Sequence, residues 1–343
     1  MVTKEFLKSQ KFFLGLLFAG VFLIGLMGSY LVLTLLNKPK PQAQAVQKSE
    51  PEEETPFEPI EIEGSYNAVL LGSGGKGHSG GTLTDSIIVV SVDPANKKAS
   101  LISVPRDLWV PGNRKINAEV VANGYGGLKS TLDGITGLEI KNHIAIDFDS
   151  LISLINNLGG IEVDVPNEFD DYFYPIKGRE NEICGMTAEE VASAHQKYSG
   201  FELEKQFTCR WEHVHFDKGV TKISGEEALK LARSRHGDSD FGRSARQFAI
   251  LKGILNKLLS SGSLEKIDET FKDFSKLVDA DIDLKTARQL AKLFGNPSEY
   301  KINELHLSTQ NVLSEGKSSE GAYILFPKTG NFNFTEIKKF ITQ

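Results

Sequence analysis

The chain has little cysteine, no excess of positive charge and no internal repeat. Two of its 343 residues are cysteine, Cys184 and Cys209, too few for a disulfide-dense small scaffold. The net charge is −6 and unevenly placed. Residues 1–47 carry five lysines and one glutamate, residues 48–63 one lysine and seven glutamates, and residues 64–343 are left at −4. A domain of that sign is not built to neutralise a phosphate backbone, so nucleic acid is not an expected partner. What remains is ordinary: 40% hydrophobic and 24% charged, with length for one large domain or two small ones.

Charge is missing altogether from Phe12 to Leu36, 25 positions in a row. A helix of that length reaches about 37 Å, enough to cross a hydrocarbon core of roughly 30 Å with some tilt. The run is too long for the apolar part of a cleavable signal peptide, about 7 to 15 residues. Ala43-Gln44-Ala45 has the look of a cleavage site but lies well past the run. The sequence therefore predicts a cytoplasmic tail over 1–11 and a transmembrane signal anchor over 12–36. Lys4, Lys8 and Lys11 before the span against Lys38 and Lys40 after it give only a slight charge bias. Orientation follows instead from the large polar remainder. Residues 37–63, rich in Pro, Gln and Glu, predict a disordered acidic linker. Residues 64–343 would be the extracytoplasmic folded part.

In that compartment Cys184 and Cys209 favour a disulfide closing a loop of about 25 residues, contributing about 3 kcal/mol on the chain-entropy model. A metal site from Cys209, His213 and His215 is the alternative, although the spacing fits no common zinc pattern. Two free thiols are the third.

Apolar β-branched runs in "YNAVLLG", "DSIIVVSVD" and "KKASLISVP" predict strands, the last two joined as a hairpin through Asp93-Pro94-Ala95-Asn96. "HIAIDF", "DSLISLINNLGG" and "GIEVDV" read as strand, helix and strand, which argues for an α/β sheet. Residues 167–222 have no clean period and look like a long insertion. Helical patterns follow in "SGEEALKLARS", where Ser224 and Glu227 form a capping box, "GRSARQFAILKGILNKLLSS", "LEKIDETFKDFSKLV" and "DLKTARQLAKLF". The tail reads as a short strand, a turn and a closing helix.

Gly72-Ser73-Gly74-Gly75-Lys76-Gly77 satisfies the dinucleotide fingerprint G-x-G-x-x-G. That motif must open a helix whose N-terminus meets the pyrophosphate. Here the glycines run on through Gly80 and Gly81 into the strand "TLTDSIIVVSV", and no Gly-Lys-Ser/Thr follows for a P-loop. The glycines predict a flexible loop ending at Asp85, at the mouth of a strand.

Four of nine arginines, Arg233, Arg235, Arg243 and Arg246, fall within fourteen residues. Arg243, Arg246 and Gln247 share one helical face at i, i+3 and i+4, and Asp240 is placed to cap that helix. Arginines at a helix N-terminus suit a phosphate or carboxylate gripped in a forked geometry. A set of surface salt bridges with Asp238, Asp240, Glu226 and Glu227 would have the same spacing. A second cluster, "SVPRDLWVPGNRKIN", sets Arg106 and Asp107 at a strand end, with Lys115 and Asn117 close behind.

With these clusters the chain resembles the LytR-CpsA-Psr cell-wall glycopolymer transferases. The shared elements are "NAVLLG", "TDSIIVVSVDPANKKASLISVPRD", "KIN", "GYGG", "DF…LGGIEVDVP", "SGEEALKLARSR" and "DFGRSARQ", in the family's order over residues 66–260. The resemblance implies an α-β-α layered domain with a central mixed sheet and an apolar groove for a polyprenyl chain, preceded by one transmembrane helix. It implies transfer of a glycan phosphate (teichoic acid or capsule) from a polyprenyl-pyrophosphate carrier to a peptidoglycan hydroxyl at the cell membrane, with Mg²⁺, or Mn²⁺ in its place. Asp85 would be the metal-side aspartate. Arg106, Arg233, Arg235, Arg243, Arg246 and Gln247, with Lys115 and Asn117, would bind pyrophosphate. Arg106, Asp107, Arg233 and Arg235 would be the catalytic set, with Asp107 orienting an arginine or taking the acceptor's proton; His78 is a second proton acceptor to weigh.

Two positions depart from the family pattern. The acidic residue usual just after "LLG" is replaced by Ser73/Gly74/Gly75, and the arginine two residues before Asp85 by Leu83. A metal ligand and a phosphate ligand are therefore absent or supplied by His78 or Lys76. A non-catalytic binder of polyprenyl phosphates or surface glycans, and a polyprenyl-pyrophosphate hydrolase, are the competing readings.

Overall fold

A computed structural model describes residues 64–78, 80–236, 240–260, 277–282, 286, 289–290, 293–294 and 299–342. The spans expected to be tail, membrane anchor and linker, and most of the helical pattern after residue 260, lie outside the described residues. Among those described, no helix is long and apolar enough to cross a membrane.

The chain runs β1 (Tyr66–Ser73), β2 (Thr84–Asp93), β3 (Lys98–Ser103), β4 (Trp109–Val110), β5 (Arg114–Lys115), α1 (Glu119–Thr136), β6 (Ile140–Asp147), α2 (Phe148–Asn157), β7 (Ile161–Val165) and β8 (Phe169–Pro175). It continues through α3 (Ala188–Lys197), α4 (Gly200–Glu204), β9 (Trp211–Phe216), β10 (Gly219–Ile223), α5 (Gly225–Arg233) and α6 (Asp240–Ser260). Last come β11 (Val278–Ala280), β12 (Lys301–His306), β13 (Leu313–Lys317), β14 (Tyr323–Pro327) and α7 (Thr335–Ile341).

The expected mixed sheet is present, six strands in the order β11-β6-β1-β2-β3-β12. β1 pairs antiparallel with β2, and β2 with β3, through the expected turn, where the Asp93 carboxylate accepts from the Asn96 amide at 3.0 Å. β6 lies parallel to β1, and β12 parallel to β3. Both sheet faces are covered, which is why these strands read as unbroken apolar runs rather than alternating ones. Ala68, Ile88 and Val90 face a core shared with Ile155, Phe248 and Ile250 of α2 and α6. Val69, Leu71, Ile87 and Val89 face the other, with Leu128, Leu132 and Ile135 of α1 and Ile337 of α7. Each such side chain contributes roughly 1.5–3 kcal/mol by leaving water. The layers are helix, sheet and helix, as anticipated.

The strand–helix–strand unit has a topology that the pattern left open. β6, α2 and β7 exist as read, but β7 does not return to the central sheet; it pairs antiparallel with β10 and lies under α6. The approach is so close that a Cβ at Gly253 would meet the Glu162 carbonyl oxygen at 2.5 Å. The insertion over 167–222 is the antiparallel pair β8–β9 with a long excursion carrying α3 and α4, followed by β10. Cys184 and Cys209 are disulfide-bonded across it, so Cys209 is not a metal ligand. The Ser224–Glu227 capping box forms at the start of α5.

At the sheet edge, Asp281 accepts from Lys129 Nζ at 2.6 Å and from the His143 amide at 2.7 Å. Partial burial alone would raise its carboxyl; these bonds, the nearby His143 charge and the Asn142 amide hold it down, to about 2. A carboxyl depressed in the folded state adds stability above its unfolded value and loses it as pH falls. Acid unfolding curves should therefore show a component between pH about 4 and about 2. Asp281→Asn should flatten that part of the profile, and an unchanged profile would count against the assignment.

Candidate functional site

Strands β1, β3, β6 and β12 run in one direction and end on one edge of the sheet, where β2 begins. Ligands of open α/β sheets bind outside such carboxyl ends. At this edge Gly72 pairs with Ser86 and Ser73 with Thr84, leaving Asp85 as the extra residue of a β-bulge. Bulges of this kind re-aim a side chain beside a site. The Asp85 carboxylate accepts from Arg106 Nη1 at 2.6 Å. Arg106 Nε lies 3.5 Å from Asp107, whose other oxygen accepts from Lys115 Nζ at 2.6 Å. The result is a chain of alternating charge, Asp85–Arg106–Asp107–Lys115. Burial would ease the proton off Arg106, but the bond to Asp85, and then the Asp107 charge, outweigh it and bind the proton more firmly. Asp107 is 18% exposed and Asp85 40%, so Asp107 is held inside while Asp85 opens to solvent. Asn117 is buried and holds the backbone: its amide donates to the Arg106 carbonyl, and its own carbonyl accepts from Thr84 Oγ1.

The first turns of α6 close the crevice from above. Arg243 lines it together with Asp85, Arg106 and Ser103. Ser244 and Ser103 share a hydroxyl bond of 2.9 Å, and Gln247 bridges Ser86 Oγ (3.0 Å) to the Ala232 carbonyl (3.3 Å). Arg246 departs from the expectation. It is 1% exposed, stacked 4.3 Å over Phe169, and donates to the Leu231 and Ser234 carbonyls at 2.8 and 2.5 Å. It braces the end of α5 and the residue that follows. α6 begins at Asp240, two residues before the Gly242 start of the pattern read from the sequence, and the Asp240 side chain, with the expected cap, falls outside the described residues.

The Arg-x-Arg pair sits on that braced segment. Arg233 lies over Phe148 (4.5 Å) and donates to the Tyr174 hydroxyl at 3.3 Å. Arg235 is exposed, and its amide is fixed by buried Asp171 at 3.1 Å. The same carboxylate takes the His236 ring and the Phe173 amide. Asp171 was not legible from spacing. Only strand alternation, which turns it away from Asp170, could have marked it.

The glycine run folds on itself. The Gly75 amide donates to the Gly81 carbonyl and the Gly81 amide to the His78 carbonyl, both at 2.9 Å. A Cβ at Gly81 would sit 1.9 Å from the Gly75 oxygen. Close backbone approach, rather than phosphate binding, is what demands glycine there. His78 packs edge-on to Phe148 at 5.2 Å, while Lys76 is exposed. Where the acidic residue after "LLG" is missing, the neighbouring carboxylate is Asp147: it pairs across β6 with Ser73, and a Cβ at Gly75 would meet its oxygen at 2.8 Å.

The chain is 29% identical over 238 residues to the polyisoprenyl-teichoic acid–peptidoglycan teichoic acid transferase TagV of Bacillus subtilis, covering 67% of this chain and 52% of TagV. It is 27% identical over 251 residues to Biofilm regulatory protein A of Streptococcus mutans, covering 69% and 53%. It thus spans about half the length of these relatives. The crystal structure of B. subtilis TagV superposes with a TM-score of 0.58 at 25% identity, over 82% of this chain and 97% of that one. The pattern of the LytR_cpsA_psr family matches residues 29–339, and the chain belongs to that family.

Proposed function

We propose that the protein is a membrane-anchored, extracytoplasmic phosphotransferase. It would move a glycopolymer phosphate from a polyprenyl-pyrophosphate carrier to a peptidoglycan hydroxyl. The observation that carries this reading is the convergence of Arg106 and Arg243 with Asp85 at the carboxyl edge of the sheet. A pyrophosphate carries at least two negative charges, and phosphoryl transfer is catalysed mainly by positioning and charge neutralisation. The named activity of the TagV relative points the same way.

In the reaction the acceptor oxygen forms a bond to the glycan-side phosphorus. The bond from that phosphorus to the bridging oxygen breaks, polyprenyl phosphate leaves with the electron pair, and the acceptor hydroxyl's proton passes to the departing phosphate oxygen. Arg106 and Arg243 would hold the pyrophosphate oxygens, with Arg235 closing from the α5 side. Asp107, clamped between Arg106 and Lys115, orients the arginine instead of taking a proton.

Asp85 belongs to no group of three or more closely spaced metal-ligating side chains among the described residues. A single half-exposed carboxylate does not make a cage, but it fits Mg²⁺, which is commonly bound by one or two carboxylates with substrate phosphates and water. Asp85 would hold such an ion, which supplies charge neutralisation on the phosphates.

The test uses the full chain in detergent with Mg²⁺ and a polyprenyl-pyrophosphate glycan, with and without a glycan acceptor. Release of polyprenyl phosphate only with acceptor is the expected result. Release without it would make the protein a hydrolase, and tight binding without release a carrier-lipid binder.

A further inference from the structure

A second charged constellation lies away from this crevice, on the solvent face of the β8–β9 pair. His213 and His215 stand at i and i+2 on β9, so they share one face of the strand. Asp170 on β8 is directly opposite His215 in the register. One carboxylate oxygen, Asp170 Oδ1, lies 2.6 Å from His213 Nε2 and 2.9 Å from His215 Nδ1. All three ligand-capable atoms fall within 4.8 Å of one another. The other His215 nitrogen, Nε2, is 3.3 Å from Asp217. A histidine that donates one ring N–H to a carboxylate has its other nitrogen set as a lone-pair donor, the arrangement metal-ligating imidazoles normally show. On the same face the Tyr172 ring lies flat on His213 at 4.1 Å and fixes the ring plane.

We infer that Asp170, His213 and His215 form a binding site for a divalent late transition ion, of which zinc is the member tested here. Two imidazoles and one carboxylate suit zinc, copper or nickel rather than magnesium or calcium. Ligands about 2.0–2.2 Å from a tetrahedral zinc lie roughly 3.4 Å apart, so the two carboxylate–imidazole spacings of 2.6 and 2.9 Å need open by less than about 1 Å. Three protein ligands leave a position for water or a second ligand.

The place of the site gives it a structural consequence. The excursion between β8 and β9 is closed by the Cys184–Cys209 disulfide. A metal on Asp170, His213 and His215 would clip the two strands at their other end. Asp171, the next residue, points to the opposite face and holds the Arg235 amide. The clip would therefore fix the strand from which the Arg-x-Arg segment is held.

The test uses the untagged full chain, stripped with chelator and titrated with zinc by calorimetry, with metal content read by mass spectrometry after dialysis. Wild type is expected to retain about one equivalent and to melt at a higher temperature with zinc present, since a ligand of the folded state stabilises it. His213→Ala and His215→Ala should lose that equivalent. Asp217→Asn should weaken binding about 10-fold or more. Asp85→Asn should leave zinc content unchanged, separating this site from the phosphate crevice. His213 and His215 are 45% and 40% exposed, so the alanine variants should keep the far-ultraviolet circular dichroism of wild type. Failure of wild type to hold zinc, or equal zinc in wild type and the His213→Ala/His215→Ala double variant, would overturn the inference.

Discussion

Replacing Arg106 by alanine is expected to lower release of polyprenyl phosphate about 100- to 1000-fold, as loss of one pre-aimed charge donor does in other charge-stabilising sites. The fold should survive. Arg106 is 27% exposed and Asp85 40%, so the pair sits where solvent screens it, and pairs of that kind contribute about 0–1 kcal/mol. Asp107, the more enclosed partner, keeps Lys115 at 2.6 Å after the change. Arg106→Lys should recover only part of the rate, because an ammonium cannot bridge Asp85 and a phosphate oxygen with the two-pronged reach of a guanidinium. Arg235→Ala should show a similar loss with equally little change in stability, since Asp171 holds its backbone amide and alanine keeps that bond. The readout is acceptor-dependent turnover beside a thermal melt on the same samples. Wild-type turnover in Arg106→Ala would remove the crevice from the reaction.

Strands β1, β2, β3 and β6 were legible because the sheet is covered on both faces, whereas the edge strands were not: β12 gave no signal, and β11 starts at Val278, the end of a run read as a helix. Burial on both sides erases alternation and leaves runs such as "IIVVSV" that have few other interpretations. The Arg106–Asp107 turn was legible too, because it directly follows a strand end. What could not be read was orientation. Arg243, Arg246 and Gln247 do share a helical face, but a face of that kind is about 100° wide. Spacing says which residues are neighbours and not how the helix is rolled. In the fold, Arg243 turns to the crevice, Gln247 bridges two elements, and Arg246 goes under the segment after α5. The partner of β7 was hidden for a similar reason: a strand–helix–strand pattern looks the same whether its second strand rejoins the first sheet or pairs elsewhere. α1 was missed because its first turns contain Gly124, Gly126 and Gly127, and Gly124 breaks the helical backbone at φ 68°. The spacing of Leu128, Leu132 and Ile135, all buried, carried the signal that those glycines masked.

The burial of Arg246 makes it a sensitive position for stability. Its guanidinium satisfies the Leu231 and Ser234 carbonyls and lies over Phe169. Truncation removes a donor from two carbonyl groups in a buried place, and each buried group left without a partner costs about 1–3 kcal/mol. Arg246→Ala should therefore destabilise the domain by about 3 kcal/mol or more, to which the missing packing on Phe169 adds. Against a domain stability of about 5–15 kcal/mol, that leaves a folded but weakened protein. Arg246→Lys should rescue little, because one ammonium on a flexible stem replaces a planar fork whose donors are already set at the two carbonyls. The midpoint of guanidinium chloride unfolding measures this directly. The catalytic effect separates bracing from ligand binding. Without the brace at Arg246, Arg233 and Arg235 loosen together, so turnover should fall while salt dependence of substrate binding stays that of wild type. Were Arg246 instead a phosphate ligand, its removal would weaken that salt dependence and leave the unfolding midpoint within about 0.5 kcal/mol of wild type.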